Sequence, residues 1–289
     1  MAISESTQHT LLSMQKSEIT EYYIYSAIAK KVKNPHNKKV IQSIADQEKE
    51  HSEVWEGYTG VKVKPKRFMI WRYKLLSVIL GVTFILRYME RGEDFAQKTY
   101  HSIRDEVPDA KRIEHEEEIH EQELLDTLDE ERLKYVRSMV LGLNDALVEL
   151  TGALAGLSFA LSDPRLISLS GLITGIAASL SMAASEYLST KADGRNDALK
   201  SSIYTGGAYV IVVAILILPY LLLENTMLSL TLMLASALVI IFLFNYYMSV
   251  ALNISFKKRF LQMATISMGV AGFSFLVGSL LRMAFGIDV

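Results

Sequence analysis

From Ser138 onward the chain consists of five apolar segments, at about 138–161, 166–189, 201–223, 227–252 and 262–285, joined by short links. Each is long enough to cross a bilayer. A bilayer core offers no water to an unpaired backbone group, so such segments must close their hydrogen bonds internally as helices. The half before them is of opposite character. Residues 1–134 carry 24 Asp and Glu and 21 Lys and Arg, whereas residues 135–289 carry 8 and 9. The positive mean hydropathy of +0.22 thus averages a polar domain and a membrane domain. The expected organisation is all-α, with a four-helix bundle over 1–134 and a five-span domain over 135–289.

The bundle helices follow from periodicity and punctuation. Residues 8–33 show a helical apolar face of Leu11, Leu12, Ile19, Tyr22, Tyr23, Ile28 and Val32, ended by Asn34-Pro35. A second helix is expected over 36–57, closed by Gly57 and Gly60. A third runs from about Phe68 to Glu106, bent near Gly81 or Gly92. A fourth starts at Pro108 and reaches about Lys134. The stretch Leu75–Leu86 is apolar almost all round but has too few residues to span. It is expected to be bundle core or a dimer face, or else to lie on the membrane between Arg67, Arg72, Lys74 and Arg87.

Composition removes several function classes. There are no cysteines, so disulfides, iron–sulfur clusters and thiolate metal sites are excluded. The net charge of −2 gives no basic footprint for nucleic acid. The N-terminus MAISESTQHTLL has neither a basic nor an apolar signal region, so no signal peptide is expected. All six histidines lie at or before His120, which denies the membrane half any imidazole.

Two of those histidines complete Glu-x-x-His pairs, Glu48/His51 and Glu117/His120, and a single Glu precedes each pair, Glu18 and Glu93. Residues three apart share a helix face, so each pair can address the same ions. One Glu from each of two helices and a Glu-x-x-His from each of the other two is the ligand set of a di-iron or di-manganese carboxylate bundle. Glu21, Glu50, Glu114, Glu118 and Glu121 stand within one turn and are alternatives. His101 and His115 are expected at the surface. Tyr22, Tyr25 and Tyr100 are expected to pack in the core or beside the site.

In the membrane half, ionisable residues at depth are functional candidates by default. The first span carries Asp145 and Glu149, one turn apart, and the second carries Met182 and Glu186, also one turn apart. Carboxylates suit a divalent cation or a proton, and a thioether favours a softer transition metal. Small residues crowd these spans, Gly142, Gly152, Ala155 and Gly156 in one, Gly171, Gly175, Ala177 and Ala178 in the other. They allow close helix contact or dimerisation. Lys134, Arg137, Lys191, Arg195, Lys200, Lys257, Lys258 and Arg259 flank alternate ends of the spans. The positive-inside rule then puts the N-terminal domain in the cytoplasm and the C-terminus outside, with the plasma membrane as the expected location.

The segments SEITEYYIY, ADQEKEH, RGEDFAQKTY and EEEIHEQEL resemble the rubrerythrin branch of the ferritin-like family over about residues 8–133. The resemblance implies a di-iron site. It also shows a departure, since Ala96 stands where rubrerythrins carry a second Glu on the third helix, which argues against peroxidase-type chemistry. The segments GLNDALVELTGALAGLS and GLITGIAASLSMAASEYLS resemble the vacuolar iron transporter family over about 135–289. That resemblance implies a five-span, dimeric, proton-coupled carrier of ferrous iron or manganese, with metal and proton handling on Asp145 and Met182 and with Glu186 in the same motif. Plant-type members insert a Glu-rich domain between spans two and three, whereas here the link is short. The combination resembles membrane-bound ferritin iron exporters.

The expectation is therefore a homodimeric exporter of ferrous iron, or manganese, driven by proton antiport, with the bundle capturing the metal. Ferroxidase activity of the bundle is left open. The competing expectation is a membrane-anchored di-iron ferroxidase or oxidative-stress enzyme whose spans only anchor it. A third is a manganese transporter with the bundle as sensor.

Overall fold

The computed structural model describes residues 3–89, 100, 103–127, 130–161 and 163–285. Among these no strand occurs, so the chain is all-α as expected. It forms two compact units, Met1–Asp129 and Glu130–Val289.

In the first unit, α1 (Glu5–Ala29) and α2 (Pro35–Thr59) pack as an antiparallel pair, with α3 (Arg67–Ile79) against α1 and α5 (Ala110–Thr127) against α2. A further helical run, α4, covers 82–89. Local chemistry fixes the ends. Ser4 accepts the amide of Thr7 and caps α1. Asn34 accepts from the amides of His36 and Asn37, with Pro35 in the first turn of α2. Gly60, at φ 66°, ends α2 in the left-handed region that a side chain would resist. The bend expected in the third helix falls at Gly81, at φ 90°. Leu11, Met14, Trp55, Tyr100, Ile103, Val107, Ala110 and Ile113 form a core at one end of the bundle. The Leu75–Leu86 stretch divides at that bend. Phe84, Ile85 and Leu86 are buried, while Leu75, Val78 and Ile79 are exposed.

In the second unit, α6 (Glu130–Ala160), α7 (Pro164–Ala192), α8 (Ala198–Leu222), α9 (Thr226–Ala251) and α10 (Phe256–Phe285) are each long and apolar enough to span a membrane. Asp163 with Pro164, and Asn225, cap α7 and α9 at tight reversals. Helix α6 is central, packing on α8 and α10. The glycines among the small residues turn out to serve contacts inside the chain, while Ala177 is exposed. A Cβ on Gly142 would meet the Thr205 carbonyl of α8 at 2.6 Å, one on Gly152 would meet Val270 of α10 at 2.8 Å, and one on Gly175 would meet Val213 of α8 at 2.6 Å. Gly156 of α6 and Gly278 of α10 meet backbone to backbone. The glycines therefore no longer argue for dimerisation, because their close approaches are already taken by neighbouring helices of the same chain.

Candidate metal centre and the intramembrane carboxylates

Helices α1, α2 and α5 each turn one face inward, and the ligand candidates are on those faces. Glu18, Glu48, His51 and Glu117 offer donor atoms that all lie within 4.8 Å of one another. His120 joins them, its Nδ1 3.6 Å from Glu48 Oε1 and 3.6 Å from Glu117 Oε2. Five of the six expected ligands are thus together, and Glu93 lies outside the described residues. Of the alternatives, Glu50 and Glu118 are exposed. Glu114 pairs with Arg104, and the side chain of Glu121 is outside the described set. Glu21 is one turn beyond Glu18 and is coupled to the cluster by charge. His115 is a surface residue, at 73% side-chain exposure. His101 is not among the described residues.

The two imidazoles are stacked, 5.7 Å between centroids and 22° between planes. Both present Nδ1 to the cluster. His51 Nδ1 lies 3.0 Å from Glu117 Oε1 and 3.9 Å from Glu18 Oε2. Their outer nitrogens are held by other side chains, His51 Nε2 by Glu116 at 2.9 Å and His120 Nε2 by Gln47 at 2.6 Å. Bonding one ring nitrogen outward sets the ring's orientation and frees the other for a ligand role. Trp55 Nε1 and the Tyr100 hydroxyl both donate to Glu18 Oε1, at 3.4 and 3.0 Å.

The chemistry of the donors fits a divalent transition metal. Glu48 Oε2 and His120 Nδ1 are buried and make no hydrogen bond. Leaving such atoms bare is costly unless something else satisfies them. Carboxylate oxygens with imidazole nitrogens suit ferrous or manganous ions. Electrostatics agree. Burial raises Glu18 and Glu48, and the nearby Glu117 charge raises them further. Burial and the charges of Glu18 and Glu117 push Glu21 up to about 8. Burial also works against the charged form of His51, but bonds to Glu117 and Glu116 and the Glu18 charge outweigh it and push His51 up to about 9. For Glu117, burial is outweighed by the His120 and His51 imidazoles, which hold it at about 2. The metal-free cluster is thus a set of protons and charges in balance.

Sequence reasoning missed Trp55, Gln47 and Glu116. Trp55 was accessible to it, because it sits four residues after His51 on the same face of α2. Gln47 and Glu116 each immediately precede a ligand, off its face, and only the pairing of α2 with α5 brings them in.

In the second unit, half-buried Glu186 accepts through Oε1 from Ser138 at 2.6 Å and from Thr190 at 3.3 Å. Glu149 accepts from the Tyr209 hydroxyl at 2.8 Å and is exposed on the isolated chain. Asp145 is half-buried and accepts no hydrogen bond among the described residues. Met182 packs against the apolar core. At 1.5 Å of rise per residue, with Glu186 level with Ser138, Met182 lies about 6 Å further in, Asp145 about 10 Å and Glu149 about 16 Å. By this reckoning the four residues form a ladder in depth alone, at successive levels along the helices.

Comparison with known families matches a segment in each half. Residues 11–65 match the Rubrerythrin family model, taking in Glu18, Glu48 and His51. Residues 136–196 match that of the VIT family, taking in Asp145, Glu149, Met182 and Glu186. No curated protein matches the chain. The matches point to iron binding in the first unit and membrane metal transport in the second, and the five apolar helices make the chain an integral membrane protein. The chain is a fusion of a rubrerythrin-type, ferritin-like segment with a VIT-family membrane segment.

Proposed function

We propose that the protein exports ferrous iron from the cytoplasm, with protons as the counter-ion, and that the bundle supplies the cargo. The observation that carries this reading is Asp145 and Glu149 one turn apart within the matched first span, since a helix that only anchors has no use for two carboxylates at depth. Glu18, Glu48, His51, Glu117 and His120 take up iron and release protons to do so. Glu93 is the sixth ligand expected from the sequence, for two ions per site, and manganese suits the same donors.

In the membrane, the cargo passes down the ladder from Glu186 and Met182 to Asp145 and Glu149. Each carboxylate holds either a metal ion or a proton, which is the elementary requirement of antiport. The exposure of Glu149 on a single chain suits a path completed by a second copy, so the working unit is a homodimer in the plasma membrane with the bundle on the cytoplasmic side.

Proteoliposomes test this. Wild-type protein should move ferrous iron, faster with an opposing pH gradient. Asp145→Asn keeps the side-chain volume and removes the charge, so it should abolish most flux while the bundle still binds metal. Absence of wild-type flux would return the protein to the anchored-ferroxidase reading. Normal flux in Asp145→Asn would remove that residue from the path.

A further inference from the structure

Helix α3 has a face that the bundle leaves uncovered. Its inner side is moored to α1. Tyr73 and Ser77 are buried, and Lys31 Nζ donates to the Lys74 carbonyl at 3.1 Å and to Ser77 Oγ at 2.8 Å. Its outer side carries Phe68, Trp71, Leu75, Val78 and Ile79, with Phe68 and Val78 each 69% and Trp71 59% exposed. At 3.6 residues per turn these five fall within an arc of about 100°. Arg67 and Lys74 border the arc beside Val78, and Arg72 borders it beside Ile79, all three exposed. The surrounding sequence is wholly cationic. Residues 61–89 hold seven Lys and Arg and no Asp or Glu, in a unit otherwise rich in acid.

We infer that α3 lies in the interface of an anionic bilayer, its apolar stripe among the acyl chains and its bordering cations at the headgroups. An exposed aromatic and aliphatic stripe edged by Lys and Arg is the pattern of a helix lying in a membrane surface. The charge selects the occupant. An anionic surface attracts each nearby cation enough to favour the docked state about fivefold. A second copy fits poorly, because a two-fold contact through this face would set Arg67, Arg72 and Lys74 against their own counterparts with no carboxylate in 61–89 to neutralise them. The surface is also at hand, since the second unit of the chain is embedded in one. The inference stands whether or not the membrane domain moves iron.

The chain has no cysteine, so single labels can be placed without background. Val78→Cys and, as a solvent-facing control, Glu53→Cys would carry a spin label in full-length protein. The protein is held in nanodiscs of phosphatidylcholine, alone or mixed with phosphatidylglycerol. In mixed discs the label at 78 should be more accessible to oxygen than to a nickel chelate, the signature of a lipid environment, and the label at 53 should show the reverse. Changing Arg67, Arg72 and Lys74 together to Gln should return position 78 to the pattern of 53. Nickel access at 78 equal to that at 53 in mixed discs would overturn the inference. Exclusion of both reagents would overturn it in favour of a protein partner.

Discussion

Loading the bundle must expel protons. In the metal-free cluster His51 is pushed up to about 9, and burial raises Glu18 and Glu48 as well. A metal ligand has to be deprotonated. At pH 7, two units below its pKa, His51 is about 99% protonated, and removing that proton costs about 2.7 kcal/mol, or about 100-fold in affinity. The sign follows directly. Affinity should rise with pH by about tenfold per unit from His51 alone, levelling only above about 9. The raised carboxylates add to the slope in the range where they still hold protons. The assay is calorimetric titration of manganous ion into full-length metal-free protein, repeated in buffers of different ionisation enthalpy and at several pH values between 6 and 8. The expected result is release of at least about one proton per site, with affinity climbing across the range. Binding that is independent of pH and of buffer would refute the balance of charges described for this cluster.

Other outcomes follow from the same contacts. Gln47→Ala removes the acceptor that orients His120, and should weaken metal binding about 10- to 100-fold without removing it, as read by equilibrium metal analysis. Glu48→Ala with His51→Ala should abolish bundle binding, and unchanged stoichiometry would discard the ligand assignment. Without metal, His51 contributes stability that is fully present below its unfolded pKa of 6.5 and is lost as pH rises through about 9, so metal-free protein should melt at lower temperature at pH 9 than at 6.5, and added manganous ion should reverse the difference. Gly175→Leu would drive a side chain into Val213 and should lower thermal stability in detergent by about 1–3 kcal/mol, whereas Gly207→Leu, with nothing within 4 Å, should be tolerated.

The ligand set was legible because its logic is local. Glu48 and His51 share a face whatever they pack against, and so do Glu117 and His120. Helix ends were legible for the same reason, with Asn34-Pro35 and Gly60 marking them chemically. What sequence could not supply was the identity of the neighbour. A glycine such as Gly142 signals a close approach without saying to what, and the answer here is Thr205 of the same chain. A segment apolar on every side, as at Leu75–Leu86, has no face to read, so the division between buried Phe84 and exposed Val78 emerges only once the chain turns at Gly81. Glu116 lies in an acidic run where no side chain stands out until His51 arrives opposite it.

Glycine contacts clamp two couples of membrane helices, and two more such contacts, Gly142 against Thr205 and Gly171 against Leu154, cross from one couple to the other. Gly156 against Gly278 fastens α6 to α10, while Gly175 against Val213 and Gly206 against Ala183 fasten α7 to α8. The hydrogen bonds of the two best-held carboxylates both straddle the seam between these couples, Ser138 to Glu186 and Tyr209 to Glu149. A shear of one couple over the other would part both bonds in the same movement, leaving Glu186 with its Thr190 bond alone and Glu149 without the Tyr209 bond. The seam would then act as a latch whose release is felt simultaneously near the mouth and near mid-membrane. Ser138 and Ser201 face each other across it, their hydroxyls 3.1 Å apart, so a Ser138→Cys/Ser201→Cys disulfide should bolt the latch and stop transport until it is reduced. Undiminished flux from the oxidised pair would show that the couples do not move against each other.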